Sequence, residues 1–201
     1  MKSRALRSTL GGLLVVTGLL TTVGCANNEG NDWERLVCDV QSVNGGMPLV
    51  SAYLNAGADD EVGTDDDFQP IETVLVVFHA RPYGSAIMLP EDSAHSWFQI
   101  NSYDITWVTD PGAPADLSPH DVSRAPIDVM VPVYEEGGSS VLVVGIDMKN
   151  APWFVDIFTG DIPSFQANAN FTFYGHESGS DKEVAIAAGM RVNFIGVEVN
   201  D

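Results

Sequence analysis

Positive charge is what this chain has least of. Nine Lys and Arg stand against 28 Asp and Glu in 201 residues, a formal net charge of −19. Nucleic-acid binding draws its affinity from cations that displace phosphate counterions, so that class of partner is excluded. Cysteine is almost as scarce, with Cys25 and Cys38 as the only two. Structure must come instead from the 45% of residues that are hydrophobic, enough for a packed core and too many for wholesale disorder. Helical periodicity is nearly missing as well. No segment repeats at a period of roughly 20–50 residues, which excludes a solenoid or propeller.

Catalytic signatures are also lacking. The chain has no His-Glu-x-x-His, no Gly-x-Ser-x-Gly and no phosphate-cradling Gly-x-x-x-x-Gly-Lys. His79, His95, His120 and His176 sit singly. In His176-Glu177-Ser178 neighbouring side chains would point to opposite faces of a strand, which makes a poor proton relay. With no nucleophile–base set in view, the expectation is a protein that is not an enzyme. A zinc site would need scattered His and Asp brought together in space.

What is present begins at the N-terminus. Lys2, Arg4 and Arg7 precede an uncharged stretch from Leu10 to Val23. Its 14 residues would make about 21 Å of helix, short of a ~30 Å hydrocarbon core, so the stretch reads as an export signal. It ends Leu20-Thr21-Thr22-Val23-Gly24-Cys25. Small Gly24 before Cys25 resembles a bacterial lipobox. The resemblance implies that residues 1–24 are a lipoprotein signal peptide and that Cys25 is the lipidation site. Ala26 after the Cys is similar to lipoproteins sorted to an outer membrane. The implied partner is therefore the membrane itself, through lipid on Cys25, and the implied location is the cell envelope. Residues 25–34 are a polar, flexible tether by composition. An ordinary signal peptide cut nearby and an uncleaved anchor are the alternatives. Should acylation fail, Cys25 could join Cys38 in an oxidising compartment. Cys38 shares its parity with Leu36 and Val40, which places it in a core.

From residue 35 onward short β-rich runs recur between Gly, Pro, Asp and Ser clusters. Nine strands are expected: Arg35–Val43, Leu49–Leu54, Ile71–Arg81, Trp97–Val108, Ile127–Tyr134, Ser140–Met148, Ala169–Gly175, Glu183–Ala187 and Arg191–Val199. Val74–Phe78 and Val141–Val144 are apolar on both faces and suit covered, central strands. The parity of apolar residues changes midway through Trp97–Val108, so a bulge is expected near Asn101-Ser102. Segment 145–168 reads as a packed crossover loop or one helical turn. Many short strands and Pro-rich loops favour one all-β domain over residues 35–201, an antiparallel Greek-key sandwich. Tyr103-Asp104-Ile105-Thr106-Trp107, the run Phe171–Gly175 and Arg191-Val192-Asn193-Phe194 resemble strands of immunoglobulin-like or fibronectin-III-like modules. The resemblance implies such a sandwich of about eight or nine strands with long loops. A jelly roll is the rival.

One stretch is chemically sharp. Residues 55–70 read Asn-Ala-Gly-Ala-Asp-Asp-Glu-Val-Gly-Thr-Asp-Asp-Asp-Phe-Gln-Pro, with six carboxylates and no cation. Asp59, Glu61, Asp65 and Asp67 alternate around Gly63, a spacing that could aim hard oxygen ligands at Ca²⁺. The segment Gly63-Thr64-Asp65-Asp66-Asp67 is similar to Asp-rich calcium loops of secreted bacterial proteins. It is not an EF-hand, because Pro70 stands where the bidentate Glu belongs when Asp59 is position one. A solvated acidic loop is the plain alternative. Two functional expectations follow. The first is a non-enzymatic envelope lipoprotein acting as a binding or scaffold module for an unidentified protein or glycan partner, with Ca²⁺ as a stabilising ion. The second is a calcium-containing, carbohydrate-binding lipoprotein, using aromatics such as Tyr83, Trp97, Trp107, Tyr134 and Trp153 as a sugar platform.

Overall fold

The computed structural model describes residues 36–83 and 96–198. The signal segment, Cys25 and the tether lie outside the described residues, as does His95. Eight strands and two short helices follow in the order β1 Leu36–Val43, β2 Leu49–Asn55, β3 Glu72–Pro82, β4 Trp97–Thr109, β5 Val122–Pro132, β6 Glu136–Val144, α1 Ile146–Lys149, α2 Pro152–Thr159, β7 Phe165–Glu177 and β8 Val184–Glu198. They form two sheets, ordered β1-β3-β6 and β2-β8-β7-β4-β5. This is the expected β-sandwich of eight strands in two sheets, with one departure from an antiparallel arrangement: β2 pairs parallel to β8.

The alternation of apolar residues explains the layers. Val74, Val76, Phe78 and Ala80 of β3 are buried, and so are Ala167, Ala169, Phe171 and Phe173 of β7. The two sets face each other, with the Phe78 ring edge-on to Phe173 at 4.9 Å between centroids. Cys38 joins this core as expected, and burial pushes its thiol pKa up to about 12. A thiol held this firmly protonated behaves as a small hydrophobe.

The expected bulge in β4 is present. Register shifts between Ile100 and Ser102 against both β5 and β7. Before it Phe98 and Ile100 face inward; after it Tyr103, Ile105 and Trp107 do. Trp97 consequently stands on the outer face. On the neighbouring strand Gly175 pairs with Ile100. A Cβ at this position would lie 2.3 Å from the Gln99 carbonyl oxygen, so only glycine fits against the bulge.

Other expectations need correction. The runs Glu183–Ala187 and Arg191–Val199 are parts of one strand, because Ala188, Gly189 and Met190 stay paired to Phe171, Asn170 and Ala169 of β7. β5 starts at Val122 rather than Ile127. Pro126 does not break it, since β5 is an edge strand and Pro126 lies opposite Ser102 at the bulge. β6 begins at Glu136, four residues ahead of the expected start, and ends before Ile146–Lys149 turns helical. Segment 145–168 holds two helices instead of one turn. Pro152 opens α2 with its ring at the N-terminus, and Gly160 closes it at φ 82°. Finally, the doubly apolar runs are not covered on both sides. β3 is the middle strand of its sheet but β6 is an edge, and Leu75 and Leu142 are 54% and 44% exposed.

Candidate functional site

The acidic loop joins β2 to β3. Its neck is closed by two backbone hydrogen bonds between Asn55 and Phe68, at 2.9 and 3.2 Å. Inside, carboxylates cap backbone amides. Asp66 Oδ2 accepts the Ala58 N–H at 2.6 Å, and Asp67 Oδ2 accepts that of Gly63 at 2.7 Å. Asp59 Oδ1 accepts the Glu61 N–H at 3.0 Å, forming an Asx turn. The Thr64 hydroxyl and the Ala58 amide, both bonded to Asp66, hold its pKa below the ordinary 3.8. Gly57 is at φ 70°, and a Cβ there would fall 2.3 Å from Asp66 Oδ2.

Asp66 therefore organises the loop, although the alternate spacing around Gly63 passes over it. Of the four expected ligands, Asp59 and Asp67 take part in this capping. Glu61 and Asp65 are exposed at the surface. Asp67 Oδ1 is buried without a hydrogen-bond partner. Among the described residues no group of three or more His, Cys, Asp or Glu side chains comes together as a metal site.

A second feature was not visible in the spacing of any motif. Lys149, at the end of α1, is fully buried, and so nearly is Glu72 at the start of β3. Lys149 Nζ donates to Glu72 Oε1 at 2.8 Å, to Ser51 Oγ at 2.9 Å and to the Ala52 carbonyl. Three acceptors thus match the three N–H groups of the ammonium, which also lies 4.7 Å from the centre of the Phe154 ring. Burial pushes Glu72 up and Lys149 down from their ordinary pKa values, opposed by their mutual attraction. The pair ties α1 to both β2 and β3. The one sequence signal was a carboxylate opening the apolar run of β3. Its partner, 77 positions away, is set by the crossover.

On the outside of the larger sheet Arg124 makes a bidentate ion pair with Glu183 at 2.8 and 2.9 Å and lies 3.4 Å over the Tyr174 ring. Tyr174 in turn donates to Asp104 at 2.7 Å. One of the few cations is thus spent fastening β5 across β4 and β7 to the start of β8. These groups are solvent-exposed, so the pair adds little to stability.

The open side of the sandwich carries two concavities. Two clefts, of about 520 and 410 Å³, run end to end between β1 and the first half of β8, and both are lined by Val40 and Ala187. β1 forms a ladder only with β3, although the Leu36 N–H also donates to Glu177 Oε2 of β7 at 3.1 Å, and β2 reaches β8 only from Val192 onward. Among the described residues, neither the outer edge of β1 nor the Val184–Arg191 edge of β8 away from β7 has a strand partner. The β8 edge is regular and uncharged from Val184 to Met190. It lacks the lysines, prolines and bulges that ordinarily blunt an exposed edge.

No family model matches this chain, and searches of curated proteins and of solved structures return no match. The site is therefore read from its own geometry.

The buried pair yields a stability prediction. Lys149→Met alone should lose about 3–5 kcal/mol, because it strands a carboxyl in an apolar site. The double variant Lys149→Met/Glu72→Gln should recover about half or more of that loss, as a double-mutant cycle in urea would measure. Additive losses would show that the two side chains do not act as a pair.

Proposed function

We propose that this protein is a non-enzymatic lipoprotein of the cell envelope, anchored in an outer membrane by lipid on Cys25, whose sandwich is a binding or scaffold module. The unpaired, uncharged first half of β8 carries this reading. Such an edge offers main-chain donors and acceptors in a row, and a second polypeptide in extended form satisfies them by adding a strand. Small Ala185, Ala187 and Gly189 along that edge leave room for a close approach. The partner favoured by this chemistry is therefore an extended protein segment. The glycan alternative finds less support. Trp107 is 5% exposed, and Trp153 stacks on Phe154 at 4.8 Å, so both indoles are used in packing. Tyr83, Trp97 and Tyr134 are the exposed rings among the five.

Cell fractionation tests the anchor. Wild-type protein should sediment with membranes, and Cys25→Ser should move to the soluble fraction. A Cys25→Ser protein that stays with the membranes unchanged would overturn the lipoprotein reading.

In the same reading the acidic loop takes Ca²⁺ as a structural ion, and the orphaned Asp67 Oδ1 is the observation in its favour. Crowded carboxylates repel, and a divalent ion reverses the sign of that interaction. Millimolar Ca²⁺ should raise the melting temperature, and a chelator should reverse the rise. A melting curve that neither addition moves would remove the ion from the account.

A further inference from the structure

A third concavity, about 350 Å³, lies on the opposite side of the sandwich, where β4 and β5 face the β6–α1 turn. Its volume falls at the small end of the range for ligand pockets, roughly 300–1,000 Å³. Four kinds of group line it. Val122, Leu142 and Met148 make its walls apolar. Asp121 and Asp147 put two carboxylates on it, and no Lys or Arg lines it. The third group is the Tyr103 phenol, and the fourth is the His120 imidazole, whose Nε2 lies 3.5 Å from Trp153 Nε1.

Tyr103 is 7% exposed, yet its hydroxyl reaches a protein acceptor, the Leu142 carbonyl, only at 3.4 Å. Hydroxyl hydrogen bonds ordinarily span about 2.5–3.0 Å. A phenol oxygen held this loosely at the wall of a cleft keeps its lone pairs for another donor. Asp121 is partly committed, since its Oδ1 accepts the Trp107 N–H at 2.8 Å. Asp147 is exposed and has no such tie among the described residues.

We propose that this cleft is a binding site for a small organic cation, a primary amine or guanidinium on a short apolar stem. Its N–H groups would be taken by the Asp147 carboxylate and the Tyr103 oxygen, and its stem by Leu142 and Val122. The sign of the ligand follows from the lining. Two carboxylates with no Lys or Arg in the lining and one imidazole, His120, disfavour an anion, and the field of a chain at −19 draws cations toward the cleft. A hard metal ion needs six or more oxygen ligands, which this lining does not gather. An ammonium needs only the acceptors found here and gains from burying its methylenes.

Isothermal titration of the full-length chain in detergent, with n-pentylamine and with agmatine, tests the proposal. Hexanoate serves as the anion of matching stem. The amines should give saturable binding and hexanoate none. Asp147→Asn and Tyr103→Phe should each weaken amine binding by about tenfold, as expected for loss of one charge-assisted contact. Circular dichroism and melting establish that each variant is folded. Asp147 is exposed, so that variant keeps the test open should the buried Tyr103 position prove intolerant. Absence of saturable amine binding up to about 10 mM would overturn the proposal. So would equal binding of hexanoate, or wild-type affinity in a folded Asp147→Asn protein.

Discussion

The turn between β1 and β2 governs what the rest of the molecule can do. Asn44, Gly45 and Gly46 all have positive φ, at 51°, 62° and 82°. Only glycine enters this region freely, and asparagine is the side chain that tolerates it best. The left-handed run breaks the strand and carries the chain from the edge of one sheet to the edge of the other. Asn44 Nδ2 donates to the Met47 carbonyl at 3.1 Å and steadies the crossing. β2 then lies parallel to the far half of β8, and the near half is left facing β1 across a cleft. The open edge, the parallel pair and the two clefts beside β1 are consequences of this one local conformation.

The core is held by a different rule, the matching of two-residue periods across the layers. β4 shows how strictly it applies. A regular strand of its length would carry Tyr103, Ile105 and Trp107 to the solvent if Phe98 and Ile100 faced inward. One extra residue at Asn101 restores the match, and Gly175 makes space for it on β7. The buried ion pair then fixes the crossover. Lys149 satisfies all three of its donors only when α1, β2 and β3 are in register, so it ties packing to topology.

Much of the fold was legible because alternation is a local property. Five of the eight strand starts lie within one residue of where the apolar pattern puts them. The bulge was readable from a change of parity, and the Cys38 position from its neighbours. What escaped were features that depend on distant partners. Gly189 looks like a break until β7 supplies its pairing, and Pro126 looks like a stop until β5 proves to be an edge. Lys149 sits beside apolar residues with nothing nearby to mark Glu72 as its partner. At the acidic loop the segment was plain from its charge, but the organising residue was not. Asp66 acts through backbone amides, and side-chain spacing carries no record of these.

The functional reading rests on an edge that nothing described here covers. Contact through main-chain hydrogen bonds asks little of side chains, which fits a chain with few catalytic signatures and small residues along the open strand. Hydrogen exchange along β8 examines that edge directly. In the monomer, amides of Val184–Arg191 that point away from β7 should exchange orders of magnitude faster than those of Val192–Val197 bonded to β2. Uniform protection along the whole strand would contradict an open edge, and with it the account of this protein as a module that binds by strand addition.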